Sequence, residues 1–462
     1  MANKVTSVSC VEVEDTNRFE PKMYLFQQAL NHAQKTYNFV VLDKIATAIN
    51  RGQSPKPETY KDKNNGKYVF IRTADVKKYQ FNTESAVYLD DDTFATQKSN
   101  RIKKSDILIS VVGNYLGSTS VIPNNIEIGA FNDNSARIRI VDNTISPYYV
   151  SAFFNSVFGQ KLIQSLVTRT GQKILSAGNV KKLSLPIIDD VNIVSKYECA
   201  TNNNVNANKL ISQAQQLFYS RIGIDFKAIA KENTFSVCKS NFADADLWTP
   251  MYSYPLYVNT LKAIQSKWQT ITIGEIATLK KGDEVGSDTY IGYLDKRKSD
   301  VPFVRTSDIV NYEIDQYPDF FIPKEIYDEL GQDIKAGDVL FTNDGKIGQV
   351  GIVTEYDKFI LQSHIKRIRL NEIAKHIGIT PEYLFLSLSI KEVGIYQAKQ
   401  YTVIQSTIPT MANNLGKVSI PILDKDTITE ITDLVKQAFK LKDEKKRLIS
   451  EVRETMDGYF EM

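Results

Sequence analysis

A chain of 462 residues, 42% of them hydrophobic, has room for two to four packed domains. Its net charge of only +3 allows local basic patches but excludes a polycationic nucleic-acid binder. Three scattered cysteines, Cys10, Cys199 and Cys238, imply no disulfide framework and no cysteine metal knuckle.

In chain order, the first patterned segment is Leu42-Asp43-Lys44-Ile45-Ala46-Thr47. Tyr68 to Arg72 is a β-branched and aromatic run between polar residues, which predicts a strand. Asp106 to Val112 predicts another, ending at the turn glycine Gly113. Ala136 to Val141 alternates apolar with basic residues, the pattern of a half-buried strand. Ser146-Pro147 places a cap before a proline at the first helical position. From near Ile193 the spacing predicts a helix, with Leu210, Ile211, Ala214, Leu217, Phe218 and Ile222 along one face. Thr201-Asn202-Asn203-Asn204-Val205-Asn206 is poor in helix formers and is expected to interrupt it.

The second half repeats the first. Val69-Phe70-Ile71-Arg72-Thr73-Ala74-Asp75-Val76 returns as Pro302-Phe303-Val304-Arg305-Thr306-Ser307-Asp308-Ile309. Leu42 to Thr47 pairs with Ile273 to Thr278, and Ile102 to Leu108 with Ile334 to Leu340. Arg137-Ile138-Arg139 pairs with Arg367-Ile368-Arg369, and Ile145 to Tyr149 with Ile379 to Tyr383. Leu183-Ser184-Leu185-Pro186-Ile187 pairs with Val418-Ser419-Ile420-Pro421-Ile422. All matches keep one order at offsets of roughly 230–235 positions, the mark of an internal duplication.

A second helical pattern follows, through Ile428, Ile431, Val435, Ala438, Phe439, Leu448, Val452 and Met456. The capping-box pattern Thr427-x-x-Glu430 stands at its start. Lys440, Lys442, Asp443, Glu444, Lys445, Lys446 and Arg447 give it a dense charged face. A helix over 425–460 would span roughly 50 Å.

The expected fold is therefore mixed α/β (α+β). Two strand-rich modules in tandem repeat, 1–190 and 233–423, are each followed by a helical spacer, 191–232 and 424–462. The two helices are expected to pair antiparallel with pseudo-twofold symmetry. The start carries no secretory apolar core, and no apolar run approaches the ~20 residues of a membrane span, so a cytoplasmic chain without membrane contact is expected.

Catalytic chemistry is sparse. His32, His364 and His376 offer no i, i+4 pair for a metal helix, and no Gly-rich phosphate loop is present. Pro318-Asp319 followed by Asp333-Ile334-Lys335 fits a metal-dependent nuclease pattern, which needs two carboxylates and a lysine around one Mg²⁺. The first copy has Arg101-Ile102-Lys103 at that place, so a charged turn before a strand is the better reading.

Recognition chemistry on loops is plentiful. Asn114-Tyr115 and Asn343 with Lys346 lie in corresponding turns; Asn132 with Asn134, and Gln362-Ser363-His364, precede the two Arg-Ile-Arg strands. Arg169, Thr170, Gln172 and Lys173 correspond to Gln405-Ser406-Thr407. Together with Arg72-Thr73 and Arg305-Thr306 these are the candidate DNA-binding residues. Asn, Gln, Arg and Lys pair with purine edges, and Ser, Thr and Lys suit phosphate. The frameworks agree while the loops differ, as expected of two modules reading two different things.

This layout resembles the specificity (S) subunit of Type I restriction-modification enzymes. The resemblance rests on the phrases at 70–76 and 303–309, 102–108 and 334–340, 146–149 and 380–383, and 183–187 and 418–422, and it covers nearly the whole chain. It implies that each module is a target recognition domain reading one half of a split sequence in double-stranded DNA. It implies that the helices set the gap and dock methyltransferase (modification) subunits. On this resemblance the chain is not an enzyme and holds no cofactor. S-adenosylmethionine and N6-adenine methylation belong to the methyltransferase subunits, and ATP, Mg²⁺ and cleavage to the restriction/translocase subunits. The alternatives are the recognition subunit of another methylation-based phage-defence system, or a free-standing nuclease using Asp319, Asp333 and Lys335.

Overall fold

The computed structural model describes residues 21–113, 116–167, 173–232, 234–237, 247–285, 300–405 and 407–460. Two compact units result: residues 1–205 with 445–462, and residues 206–444. Each contains one strand-rich module together with parts of both long helices.

In the first unit an antiparallel sheet runs in the order Ala46–Arg51, Ser135–Ile140, Ile107–Ser110, Thr119–Val121. A second sheet runs Val87–Leu89, Tyr68–Ile71, Ile128–Phe131, Arg101–Lys103, and its central pair is parallel. Val69, Ile71, Ile102, Leu108, Ile122 and Phe131 pack into one core cluster. The second unit repeats the antiparallel sheet as Ala277–Lys281, Ile365–Leu370, Val339–Thr342, Val350–Ile352. Its other sheet has three strands among the described residues, with the parallel pair kept between Val301–Val304 and Ile360–Leu361.

The duplicated phrases are the joints of this framework. Arg72 and Arg305 each precede a 3-10 turn whose aspartate folds back, the Asp75 and Asp308 carboxylates accepting from the Arg72 and Arg305 amides at 3.0 Å each. Asp106 and Asp338 are 1% exposed and each receives a fork from an arginine, Arg139 and Arg369, at 2.7 Å. Ser146 and Thr380 cap helices Pro147–Asn155 and Pro381–Ser389 with their hydroxyls, as their sequence predicts. In both helices the tyrosine two residues after the proline reaches the Ser-x-Pro strand: Tyr149 donates to the Pro186 carbonyl at 2.7 Å and Tyr383 to Pro421 at 2.8 Å. Burial pushes both phenols well above the usual tyrosine value, so both stay neutral donors.

Both long helices form, as Val191–Ile222 and Lys425–Gly458. Antiparallel pairing is visible within each unit. In the first, Asp190 meets Tyr459 and Lys196 meets Glu451. In the second, Lys442 meets Asn208, and Arg221 lies close enough to Asp424 to lower its pKa. Ile211, Ala214, Phe218 and Ile222 share a core with Ile428, Ile431, Val435 and Ala438.

Two expectations need correction. The asparagine-rich run does not interrupt the first helix, which continues through 201–206. Tyr197, Ala200, Ala207 and Ile211 on either side are fully buried, and that packing outweighs a propensity cost of a few tenths of a kcal/mol per residue. Thr427 is not the cap of the second helix. Asp424 takes that place, accepting from the Thr427 amide at 2.9 Å and from its hydroxyl at 2.8 Å. Part of the dense charged face is buried: Lys442 is 0%, Lys446 2% and Lys445 6% exposed. Lys442 ends on Asn208 Oδ1 at 2.9 Å and Lys445 on Gln80 Oε1 at 3.0 Å, so their ammonium groups are bonded where their stems are buried.

Candidate nucleic-acid interface

In the second unit the strand Val339–Thr342 leads into Asn343-Asp344-Gly345-Lys346, with Gly345 at φ +71° supplying the left-handed turn. The Asn343 and Asp344 amides donate to the His364 carbonyl at 2.9 and 3.2 Å, which seats this turn on residues 362–364. Ser363 in turn donates its amide to the Asp283 carbonyl at 3.0 Å and its hydroxyl to Glu284 at 3.1 Å. A hairpin of Val403–Gln405 and Ile408–Thr410 closes the group. The Gly345 amide donates to Pro409 at 2.8 Å and the Met411 amide to Asn343 at 3.0 Å. Four segments distant in sequence thus converge.

The first unit has the same convergence. The Val111 amide donates to the Asn134 carbonyl at 3.0 Å, and the Leu175 amide to Val111 at 2.9 Å. Gly113, at φ +91°, takes the place of Gly345. Arg51 Nε donates to the Asp133 carbonyl at 2.8 Å and Ser54 to the Asp133 carboxylate at 2.7 Å.

The candidates differ in exposure and in bonding. The Arg72 guanidinium is spent on Asp75 and the Ser85 carbonyl. Arg305 is shared between Asp308 and Asp319 and lies 4.1 Å from the Phe320 ring centre. Thr73 donates to the buried Asn132 at 2.9 Å, while Thr306 is half-buried. Asn343 is 2% exposed, with its amide nitrogen on Asp344 at 2.7 Å. Gln362 is buried; Asn134, Ser363 and His364 are half-buried on the loops, and Lys173, Lys346 and Thr407 are exposed. Asn114, Tyr115, Arg169, Thr170, Gln172 and Ser406 lie outside the described residues, as does the Gln405 side chain.

Two residues that sequence reasoning did not single out hold the loops close. A Cβ on Gly52 would meet the Asn132 carbonyl oxygen at 2.2 Å, and one on Gly282 the Leu361 carbonyl oxygen at 2.3 Å. Their recurrence at the ends of corresponding strands was the available signal. Lys366 is also buried here, donating to the Ala412 carbonyl. Burial pushes its ammonium below the usual lysine value; Asp344 opposes that shift and Lys281 adds to it.

The nuclease pattern does not assemble as a metal site. Asp333 is bound by Arg367 and Arg369, with Lys335 at 3.4 Å, and hydrogen bonding from Arg369 lowers its pKa. Asp319 is held by Arg305 at 3.2 Å. Among the described residues no three His, Cys, Asp or Glu side chains gather to hold a metal ion. No helix among them is long and apolar enough to cross a membrane.

Residues 265–453 match the family model for the Type I restriction modification DNA specificity domain. That stretch of the chain is similar to a Type I restriction-modification specificity domain. The family matched is the one that the duplicated phrases resemble. No curated protein matches the chain. Among solved structures, the Type I restriction-modification S subunit from M. genitalium is 14% identical, covering 92% of this chain and 97% of its own, with a TM-score of 0.30. The HsdS subunit from Thermoanaerobacter tengcongensis is 15% identical, covering 92% and 95%, with a TM-score of 0.28. The matched stretch covers most of the second module and most of the second helix, and the first module repeats its framework in sequence and in hydrogen bonding.

Proposed function

We propose that this chain is the sequence-specific DNA-binding subunit of a Type I restriction-modification complex, reading a bipartite target with one module per half-site. The observation that carries the reading is the duplicated loop convergence: one framework, built twice, presents two different loop sets. Lysine and arginine at each module would supply salt-dependent affinity for phosphates. A few base contacts per half-site, each worth about 1–3 kcal/mol, would supply discrimination. Joining two half-sites in one chain raises affinity through effective concentration, with helix length setting the gap.

In this reading the chain performs no chemistry and holds no cofactor. Methyltransferase subunits bring S-adenosylmethionine to N6 of adenine, and restriction/translocase subunits use ATP and Mg²⁺, all in the cytoplasm. Supporting it are the arginine partners of Asp319 and Asp333, which occupy the carboxylates a nuclease would need for metal. The test is N6-methyladenine sequencing of genomes with and without this gene. Loss of one motif, two short blocks around a fixed gap, is the expected result. An unchanged methylome in cells where the chain copurifies with a methyltransferase overturns it.

A further inference from the structure

The hairpin at 403–410 is anchored firmly at its base and bare above it. Thr410 is 8% and Met411 0% exposed, and the Thr410 hydroxyl is bonded to Asp344. Further out, Ile404 is 77% and Ile408 44% exposed. Ile404 stands opposite Pro409 and Ile408 opposite Gln405, so the two isoleucines lie on opposite faces of the ribbon. An isoleucine exposed to that degree contributes little to this chain's own core and leaves its apolar area for something else.

The charge pattern narrows what that is. From Gln400 to Met411 the chain reads QYTVIQSTIPTM, with no charged side chain and hence no carboxylate to repel phosphate. Exposed Lys346 lies on the turn whose Gly345 amide holds the hairpin. A two-stranded ribbon has the width to enter the major groove, where the thymine 5-methyl is the apolar feature of the base edges. Residues 168–173 of the first module, which correspond to 404–409, read TRTGQK, with two cations and no isoleucine.

We propose that this hairpin is a major-groove probe whose Ile404, the more exposed of the two and the only isoleucine on its face of the ribbon, selects thymine by packing on its 5-methyl group. The inference rests on the DNA-binding reading above and adds which base the second half-site contains and which atoms choose it. The two modules then discriminate by different chemistry: methyl contact in the second, polar contact in the first.

The test needs the target motif and the full chain assembled with its methyltransferase. Duplexes carrying the target are compared with duplexes in which single thymines of one block are replaced by deoxyuridine, which lacks only the methyl. At one thymine of the second block, wild-type affinity falls about fourfold, the factor for removing one buried methyl-sized group. Ile404→Ser binds the thymine duplex more weakly and shows no further loss with deoxyuridine, whereas Ile408→Ser, on the other face of the ribbon, keeps the wild-type thymine-to-deoxyuridine ratio. Both positions are exposed, so folding is preserved, and binding at the first block is unchanged. Insensitivity of the wild type to deoxyuridine throughout the second block overturns the proposal while leaving sequence-specific binding intact. Loss of methyltransferase assembly in Ile404→Ser with an unchanged thymine-to-deoxyuridine ratio overturns it in favour of a protein contact. Absence of any sequence-specific binding by the wild-type complex instead defeats the DNA-binding reading itself.

Discussion

Asp106 and Asp338 show how much of this framework rests on single buried charges. Each is satisfied by an arginine fork, and removing the acid strands a partly buried guanidinium. Asp106→Ala should cost about 3 kcal/mol. Urea unfolding followed by hydrogen exchange should show that loss in the first unit and little change in the second. Gly282→Ala should cost about 1–3 kcal/mol, because its Cβ would meet backbone carbonyls rather than a yielding side chain. The same unfolding measurement reads it. The sequence showed these arginines only as the polar half of an alternating strand. Arg137 and Arg367 are in fact 8% and 7% exposed, and they donate to the carbonyls of Arg101 and Asp333. Alternation separates apolar from polar positions but cannot tell a polar residue in water from one whose partner lies thirty residues away.

Among the elements, the second long helix is governed by its first turn. The Thr427 amide, then its hydroxyl, hold the Asp424 carboxyl below its ordinary value of 3.8. With the folded value depressed, the stabilisation is fully present above the unfolded value and is lost as pH falls through the folded one. Asp424→Ala should cost about 1 kcal/mol at neutral pH. Thermal unfolding below pH 3.8 should show the difference between wild type and variant shrinking as the carboxylate protonates. Periodicity located this helix within two residues of its end. It misplaced the cap because Thr427 and Asp424 are both good cap residues, and only the folded backbone decides which amides are left over. It misjudged the asparagine run for the related reason that tertiary burial at Tyr197 and Ala207 is not a local property.

At the scale of the molecule, the first unit contains residues 445–462, contributed by the far end of the chain. Phe460 stacks on Phe158 at 4.5 Å between centroids, and Val452 and Met456 are fully buried. Deleting 445–462 should therefore destabilise the first unit more than the second, read as hydrogen-exchange protection lost around Phe153 and Phe158. Modular reading also predicts that Arg169→Ala with Lys173→Ala weakens binding at the first half-site alone, measured on duplexes altered in one block at a time. The duplication, the two modules, the long helices and the family resemblance were all legible in the chain, because repeats, periodicity and short phrases are properties of neighbours in sequence. Which loops converge, which arginines turn inward, where each helix docks and why Ile404 stands bare were decided only by tertiary structure. Each depends on backbone amides and apolar surfaces that meet from distant parts of the chain, and burial of that kind leaves no local signature.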